Sequence, residues 1–258
     1  MNAVQNMLNI TKSIFISGKR PREYLQGHKI LKLHIFSTID NNQIFTSHKH
    51  GVLNVQRCKK AIENKYINDY QLIIPNDENE KNKYNFIYSN MLYHGYKKCL
   101  IYCQNIEEAE IFKKEIFTIN EIKYKFKIFL NLITYKTSLK KRNKILNEFI
   151  KDEYKLSFII SVHTLDECID IPKCDSVYIT YNVKNPINII QRISRCLRVY
   201  QNKIKSGIFI WCDKYNDLVK INDIVKNYDS NLINKIYIKN NDGQNNKLLK
   251  IKNDLKKM

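Results

Sequence analysis

The amino-acid sequence predicts an α/β domain built around a parallel β-sheet. Several short runs are apolar at almost every position, which is typical of parallel strands that helices cover on both faces. Amphipathic segments with helical periodicity lie between several of these runs. Strand–helix–strand repetition at this spacing is typical of doubly wound α/β domains. The 258 residues, 43% of them hydrophobic, are enough for one large domain or two small ones.

Six apolar runs are predicted to be strands and three amphipathic segments to be helices. The strands are YQLII (70–74), KCLIYC (98–103), FKIFL (126–130), KLSFII (155–160), DSVYIT (175–180) and GIFIWC (207–212). The helices are 105–117, 138–150 and 186–199. Each helix begins beside a polar capping residue: Asn105, Ser138, and Asn185 before Pro186.

We place this α/β domain at residues 68–230. Residues 1–67 are less regular, and we expect a short irregular N-terminal segment there. Residues 231–258 are rich in Asn and Lys and are predicted to form a basic tail.

The charge balance predicts an anionic partner. Lys and Arg number 44 against 25 Asp and Glu, which gives a net charge of +19. Nucleic acid is the expected polyanion, and an anionic membrane is the alternative that the charge alone leaves open. The alternative is a background composition rich in Lys, Asn, Ile and Tyr, which would raise the charge at every surface position alike.

The sequence contains no feature of a membrane or secreted protein. No run approaches the roughly 18 apolar residues of a spanning helix, and the first residues lack a signal-peptide pattern. Seven cysteines without a repeating frame indicate free thiols in a reducing compartment. We expect a soluble, intracellular protein, with nothing to distinguish nucleus, cytoplasm or a viral replication site. No Cys/His cluster supplies the three or four ligands of a metal site, so none is predicted.

The helix that begins at Pro186 carries the first candidate site. At about 100° per residue, Gln191, Arg195 and Arg198 fall in one stripe, with Arg192 to one flank. The apolar residues at 189, 190, 193, 196 and 197 fall opposite and are expected to pack on the sheet. Two guanidinium groups and an amide on one stripe suit phosphate oxygens. The open alternative is an ordinary solvated face.

The segment SVHTLDECIDIP (161–172) follows a predicted strand and contains Asp166, Glu167 and Asp170. In open α/β sheets, ligands bind beyond the carboxyl ends of the strands. Acidic groups there can orient a nucleotide's sugar or its metal-bound phosphates. The alternative is that Asp166 and Glu167 only cap a turn.

Together these segments resemble motifs V and VI of superfamily 2 helicases. ECIDIP (167–172) is similar to the family's EGxDIP, and QRISRCLR (191–198) to QRxGRxxR. KKCLIYCQNIEEAEIF (97–112) resembles the motif IV region, and YKTSLKKRNKILNEF (135–149) the stretch before motif V. The resemblance implies a RecA-like C-terminal lobe, with residues 1–67 as a remnant of the end of lobe one and the connector.

The resemblance also implies roles at a nucleotide. Arg195 and Arg198 would be arginine fingers that reach the γ-phosphate of ATP, and Gln191 would contact the phosphates. Asp170 would lie near the ribose, and Glu167 would sit in the motif V loop.

For nucleic acid, DNA or RNA, the resemblance assigns strand phosphates to Gln104, Thr137 and Ser138. Two positions depart from the family pattern, since Cys168 and Ser194 replace glycines. Cys168 lies in a loop, where glycine often supplies a special backbone conformation. Ser194 is predicted to lie within the helix, where a small residue should serve.

The 258 residues contain neither a GxxxxGK[ST] phosphate loop nor a DEAD-type motif. We therefore expect no ATP hydrolysis by this chain alone. A partner polypeptide would supply the first lobe and hold Mg²⁺, and the ATP site would be shared between the two. The alternative function is a non-catalytic nucleic-acid-binding module or a degenerate helicase fragment.

Overall fold

A parallel β-sheet forms the centre of the domain. The computed structural model describes residues 61–75, 82–162, 164–165, 171–181, 185–211, 225, 229 and 235–239. The strands are β1 (Tyr70–Pro75), β2 (Lys98–Tyr102), β3 (Ile128–Ile133), β4 (Leu156–Ser161), β5 (Ser176–Ile179), β6 (Ser206–Ile210) and β7 (Ile236–Lys239). Their order is β3-β4-β2-β5-β6-β1-β7, and every pairing is parallel.

Helices connect the strands. They are α1 (Lys83–His94), α2 (Ile106–Ile119), α3 (Leu139–Phe149) and α4 (Pro186–Ser194), and a π-helical turn, Asn120–Tyr124, follows α2. The predicted caps of α2 and α3 form. Asn105 accepts a hydrogen bond of 2.8 Å from the backbone N–H of Glu108, and Ser138 accepts one of 3.4 Å from that of Lys141. Each cap satisfies a backbone donor that the first turn leaves open.

The sheet separates two apolar cores, which makes the domain three-layered. One face packs on α3 and α4, with Leu100, Val177 and Ile208 in that core. The other face packs on α1 and α2, with Ile101 and Phe209 in that core. Both faces are buried, which explains why the strand sequences are apolar at nearly every position.

The predicted α/β class is confirmed, and six strands lie at the predicted runs, with β3 displaced toward the carboxyl end. Helix α1 was not predicted. Its buried residues include the polar Asn90 beside Phe86, Ile87, Tyr88 and Met91, so the sequence shows no clean apolar stripe.

Strand β7 was not predicted either, and it pairs with β1 from Leu72–Ile236 to Pro75–Lys239. It lies beyond residue 230, at which we predicted the domain to end. The sheet therefore includes part of the range that we assigned to the basic tail. No helix among the described residues has the length and apolar character to cross a bilayer.

Candidate functional site

The carboxyl edge of the sheet positions the predicted strand-binding residues. Because all seven strands are parallel, the loops that follow β2 and β3 leave the sheet at the same edge. Gln104 follows β2 and is exposed. Thr137 and Ser138 follow β3, where Thr137 is half-buried and Ser138 is exposed. The structure therefore places these three residues where ligands bind in open α/β sheets.

Hydrogen bonds fix the loop after β3. The backbone N–H of Thr137 donates to the carbonyl of Thr134 over 2.9 Å. In return, the hydroxyl of Thr137 accepts a hydrogen bond of 3.0 Å from the N–H of Thr134. The N–H of Lys136 donates to the hydroxyl of Thr134 over 3.3 Å. The loop is thus closed on itself and holds its tip in one conformation.

Glu108 connects three elements at this edge, and the sequence reasoning did not single it out. Its carboxylate accepts hydrogen bonds from Lys83 Nζ (3.1 Å), the hydroxyl of Thr180 (2.9 Å) and the backbone N–H of Gln104 (2.7 Å). The side chains of Lys83 and Glu108 are 12% and 16% exposed, which shields the pair from water. The signal was present, because Asn105 with Glu108 three residues later is a capping-box pattern.

Helix α4 packs its apolar side on the sheet, as predicted. Ile189, Ile190 and Ile193 of α4 are 0–6% exposed, and so are Cys196 and Leu197, which follow the helix. The prediction for Arg192 was wrong, since this residue is fully buried rather than on a flank. Its Nη1 donates to the hydroxyl of Tyr181 over 2.9 Å, and its Cζ lies 4.9 Å from the ring centre of Tyr102.

Sequence analysis placed Gln191, Arg195 and Arg198 on one stripe of a helix that continues to residue 199. In the structure, α4 ends earlier, at Ser194. The next three N–H groups donate to carbonyls three residues back, the bonds from Arg195 to Arg192 and from Leu197 to Ser194 both measuring 3.2 Å. This tighter turn changes the angle between successive side chains.

The arginines that follow α4 are withdrawn from water. Arg195 is 4% exposed, so the alternative of an ordinary solvated face is wrong for this residue. Arg198 is half-buried, and desolvation lowers its pKa to about 10. Its backbone forms an antiparallel bridge with Ile67, just before β1. Gln191 is half-buried.

The end of this segment contacts the opposite, amino edge of the sheet. The carbonyl of Leu197 accepts a hydrogen bond of 2.7 Å from the N–H of Asn68, which lies just before β1. Lys203 Nζ donates to the carbonyls of Pro172 (3.2 Å), Cys174 (3.0 Å) and Cys196 (2.9 Å), and burial lowers its pKa. The backbone at 196–198 is therefore separated from the loops that carry Gln104 and Thr137–Ser138.

Four residues of the sequence hypothesis lie outside the described residues: Asp166, Glu167, Cys168 and Asp170. Ser194 is the last residue of α4 rather than a mid-helix residue, and its hydroxyl donates to the carbonyl of Gln191 over 2.7 Å. A glycine could not make this contact. The serine is only 5% exposed, so its small side chain fits a closely packed site.

The described residues offer cations rather than metal ligands. Among them, no group of three or more His, Cys, Asp or Glu side chains lies close enough together to hold a metal ion. The four described cysteines, Cys99, Cys103, Cys174 and Cys196, are free and buried. Burial raises the pKa of Cys174 to about 12, so its thiol stays protonated at neutral pH.

A family comparison matches the part of the chain that contains α4. Residues 82–200 match the helicase conserved C-terminal domain. This range contains β2 to α4 and the arginines that follow α4. Over these residues the chain is therefore similar to the C-terminal domain of helicases, in agreement with the sequence resemblance.

One viral protein is similar to part of the chain. Over 81 residues the chain is 40% identical to the protein named Putative helicase 22 of Sulfolobus islandicus filamentous virus (isolate Iceland/Hveragerdi). The match covers 31% of this chain and 14% of the viral protein, so the chain spans a small part of that relative's length.

Two solved structures share the fold. One is the ATP-dependent Type ISP restriction-modification enzyme LlaBIII bound to DNA, with a TM-score of 0.58, 13% identity and coverage of 75% of this chain and 17% of that one. The other is the C-terminal domain of the DEAD-box protein Dbp5, with a TM-score of 0.51, 15% identity and coverage of 74% and 98%. At these identities the likeness shows the fold alone.

Proposed function

We propose that the chain is the C-terminal lobe of a nucleic-acid helicase motor, completed by a first lobe on another polypeptide. In this proposal Arg195 and Arg198 are arginine fingers, and Gln191 lies beside the nucleotide phosphates. The carboxyl edge, with Gln104 and Thr137–Ser138, holds the phosphates of a nucleic-acid strand. Glu167 and Asp170 belong to the loop that faces the nucleotide.

The observation that carries the proposal is the burial of cations in and after α4. Arg192 is fully buried, Arg195 is 4% exposed, and desolvation lowers the pKa of Arg198 to about 10. Withdrawing a guanidinium from water is unfavourable, and apolar replacements of buried charges are often neutral or stabilising. A group of buried arginines is therefore expected where it has a function, and perturbed ionisable groups concentrate at functional sites.

Phosphate oxygens fit these arginines, because a guanidinium donates two parallel hydrogen bonds to them and keeps its charge. ATP, when bound, supplies the phosphoryl group whose transfer drives such motors. This chain contributes positive charge at the place where negative charge develops during phosphoryl transfer. Arginine fingers contribute about 10³–10⁵ in rate to NTP hydrolysis. The first lobe holds Mg²⁺ and the attacking water.

Purification of the tagged full chain from its own cells tests this function. The eluate is assayed for ATPase activity with and without single-stranded nucleic acid. We expect a partner that carries a phosphate loop, and an ATPase activity that the strand stimulates. Arg195→Ala should abolish that activity and leave the affinity for the strand nearly unchanged. Arg195→Lys keeps the charge but loses the planar donor pair, so it should restore little activity.

Lys127→Ala is the matched control. It removes one charge from a side chain that is 65% exposed just before β3, at the amino edge, and should leave the ATPase activity at the wild-type level. Equal activity in wild type and Arg195→Ala would contradict the finger role. Recovery of the chain alone, without ATPase activity, would contradict the half-motor.

One observation favours the second candidate, a non-catalytic nucleic-acid-binding module. The 258 residues contain no GxxxxGK[ST] phosphate loop, which ATP hydrolysis by a motor of this kind needs. This candidate predicts binding that weakens steeply with salt and does not respond to nucleotide. Tighter strand binding in the presence of ATP would contradict it.

A further inference from the structure

Tyr135 exposes an aromatic ring at the carboxyl edge of the sheet. The residue is 74% exposed, two residues after the end of β3. An aromatic side chain carries a large apolar surface, and placing that surface against a partner is favourable. The ring is therefore available for contact at the edge where the proposed function places a nucleic-acid strand.

The loop presents this ring from a fixed backbone. The reciprocal hydrogen bonds between Thr134 and Thr137, of 2.9 and 3.0 Å, close the turn around Tyr135. The N–H of Lys136 is held by the hydroxyl of Thr134 over 3.3 Å. A ring on a preformed loop loses less conformational freedom on binding than a ring on a mobile one.

Basic residues accompany Tyr135 in this segment of the chain. The segment TYKTSLKKR (134–142) contains four Lys and Arg residues and no acidic residue. Lys136 Nζ lies 5.7 Å from the ring centre of Tyr135, and Lys140 and Lys141 are exposed on the first turn of α3. Leu139, 70% exposed, adds apolar surface beside them. An aromatic ring among positive charges is complementary to a ligand with flat apolar faces on an anionic backbone.

We propose that Tyr135 is a stacking platform for a base of single-stranded nucleic acid. The inference rests on the proposed function, which places strand phosphates at Thr137 and Ser138. It adds a contact with a base to those contacts with phosphates. Bases of a duplex are already stacked on their neighbours and hide their faces, so the ligand is an unpaired strand. Stacking does not read hydrogen-bonding edges, so it accepts any base.

The test compares two strands of equal length and charge. Fluorescein-labelled oligothymidylate and an abasic strand with the same phosphates are titrated with the full chain, and polarisation gives the two dissociation constants. Stacking contributes about 1–3 kcal/mol per base, so Tyr135→Ala should weaken oligothymidylate binding by roughly 5- to 150-fold. The same variant should bind the abasic strand as the wild type does. Tyr135→Phe, which keeps the ring, should bind both as wild type.

Tyr93→Ala is the matched control, because Tyr93 is similarly exposed, at 69%. It lies at the end of α1, whereas Lys83 at the start of that helix contacts Glu108 at the carboxyl edge. It should change neither affinity. Oligouridylate in place of oligothymidylate distinguishes the two sources of such a strand. An equal loss with both means that the platform serves RNA and DNA alike, and a loss with only one assigns it to that nucleic acid.

A base analogue gives an independent readout. The fluorescence of 2-aminopurine within the strand should be quenched by wild type and less by Tyr135→Ala. Wild-type affinity that is equal for the base-bearing and abasic strands overturns the stacking role and leaves the phosphate contacts of the proposed function standing. An equal loss of affinity for both strands in Tyr135→Ala also overturns the stacking role. Absence of any strand binding by the wild type at low salt overturns both.

Discussion

Arg192 donates a hydrogen bond of 2.9 Å from Nη1 to the hydroxyl of Tyr181, and its Cζ lies 5.3 Å from the centre of that ring. The same Cζ lies 4.9 Å from the ring centre of Tyr102. Tyr102 ends β2 and Tyr181 follows β5, so a side chain of α4 links two neighbouring strands at their carboxyl ends. This contact fixes the helix that leads to Arg195 and Arg198.

Arg192→Ala should therefore destabilise the domain. The substitution removes a fully buried side chain, its hydrogen bond to Tyr181 and two cation–π contacts, and leaves a cavity beside the two rings. We expect a loss of about 2–5 kcal/mol in the free energy of unfolding, measured by urea denaturation. Lys205→Ala, at a side chain 56% exposed, should change it by less than about 0.5 kcal/mol. An unchanged urea midpoint for Arg192→Ala would refute the anchoring role.

Glu108→Gln should loosen the carboxyl edge. The carboxylate holds Lys83, Thr180 and the backbone of Gln104, and the amide can accept fewer of these bonds. Hydrogen bonds to charged groups contribute about 1.5–3 kcal/mol each, so we expect a loss of about 1–3 kcal/mol of unfolding free energy. Glu107→Gln, one residue earlier and exposed, is the control and should be nearly neutral. Similar urea midpoints for the two variants would show that Glu108 does not join these elements.

The sequence predicted the sheet well because burial on both faces leaves a strong signal in each strand. The runs around Leu100 and Ile159 are apolar at nearly every position, and in parallel sheets such runs form the centre. Strand β7 is only four residues long and follows a polar stretch, so its apolar pattern was too short to separate from the basic tail.

For the candidate site, the geometry that the sequence predicted differs from the structure at two points. Projecting residues at a constant helical angle placed Arg192 on a flank. Such a projection takes no account of contacts with other elements, here those with Tyr102 and Tyr181. The projection also continued past Ser194, where the backbone tightens. Tyr135 had no sequence signal of its own among 17 tyrosines, because only its exposure separates it from Tyr88 and Tyr178 in the core.

Gly207→Ala should strain the centre of the sheet. A Cβ at this position in β6 would lie 2.6 Å from Cε2 of Tyr96 and 2.9 Å from Cδ2 and Cζ of the same ring. Overpacking of this kind costs about 1–3 kcal/mol, measurable as a lower melting temperature. Adding Tyr96→Leu should relieve part of the loss, because it removes the ring atoms in the way. If the second substitution gives only additive destabilisation, the contact with Tyr96 is not the cause.

Gly95→Ala provides a contrast with a different physical origin. Nothing lies within 4 Å of a Cβ at this position, but its φ is +76°, which an L side chain rarely adopts. We expect a loss of about 1 kcal/mol, which Tyr96→Leu does not relieve.

Asp175 should make stability fall as the pH rises from the acid side. Burial raises the pKa of this carboxyl, although the N–H groups of Lys97 and Lys98 donate to it over 2.7 and 2.9 Å. Between the ordinary aspartate pKa of about 3.9 and the raised native pKa, the folded chain binds more protons than the unfolded chain. Stability therefore decreases with pH in that window and levels off above it.

Asp175→Asn removes this titration. The unfolding free energy of wild type minus that of the variant, measured by urea denaturation at a series of pH values, should decline through that window. The subtraction cancels groups that titrate in both proteins. A difference that rises with pH would mean that hydrogen bonds from the backbone lower the pKa more than burial raises it.

Lys136→Ala should reduce the salt dependence of strand binding. Lys136 is exposed in the loop that holds Tyr135, at the carboxyl edge proposed to contact phosphates. Each phosphate that a protein neutralises on a single strand contributes about −0.7 to the slope of log K against log salt concentration. The variant should therefore give a slope smaller in magnitude by about 0.7, in polarisation titrations with oligothymidylate at several salt concentrations. Lys127→Ala removes the same charge at the opposite edge, beside Glu153, and should leave the slope unchanged. Equal reductions in both variants would mean that the strand responds to the net charge of +19 rather than to a site at the carboxyl edge.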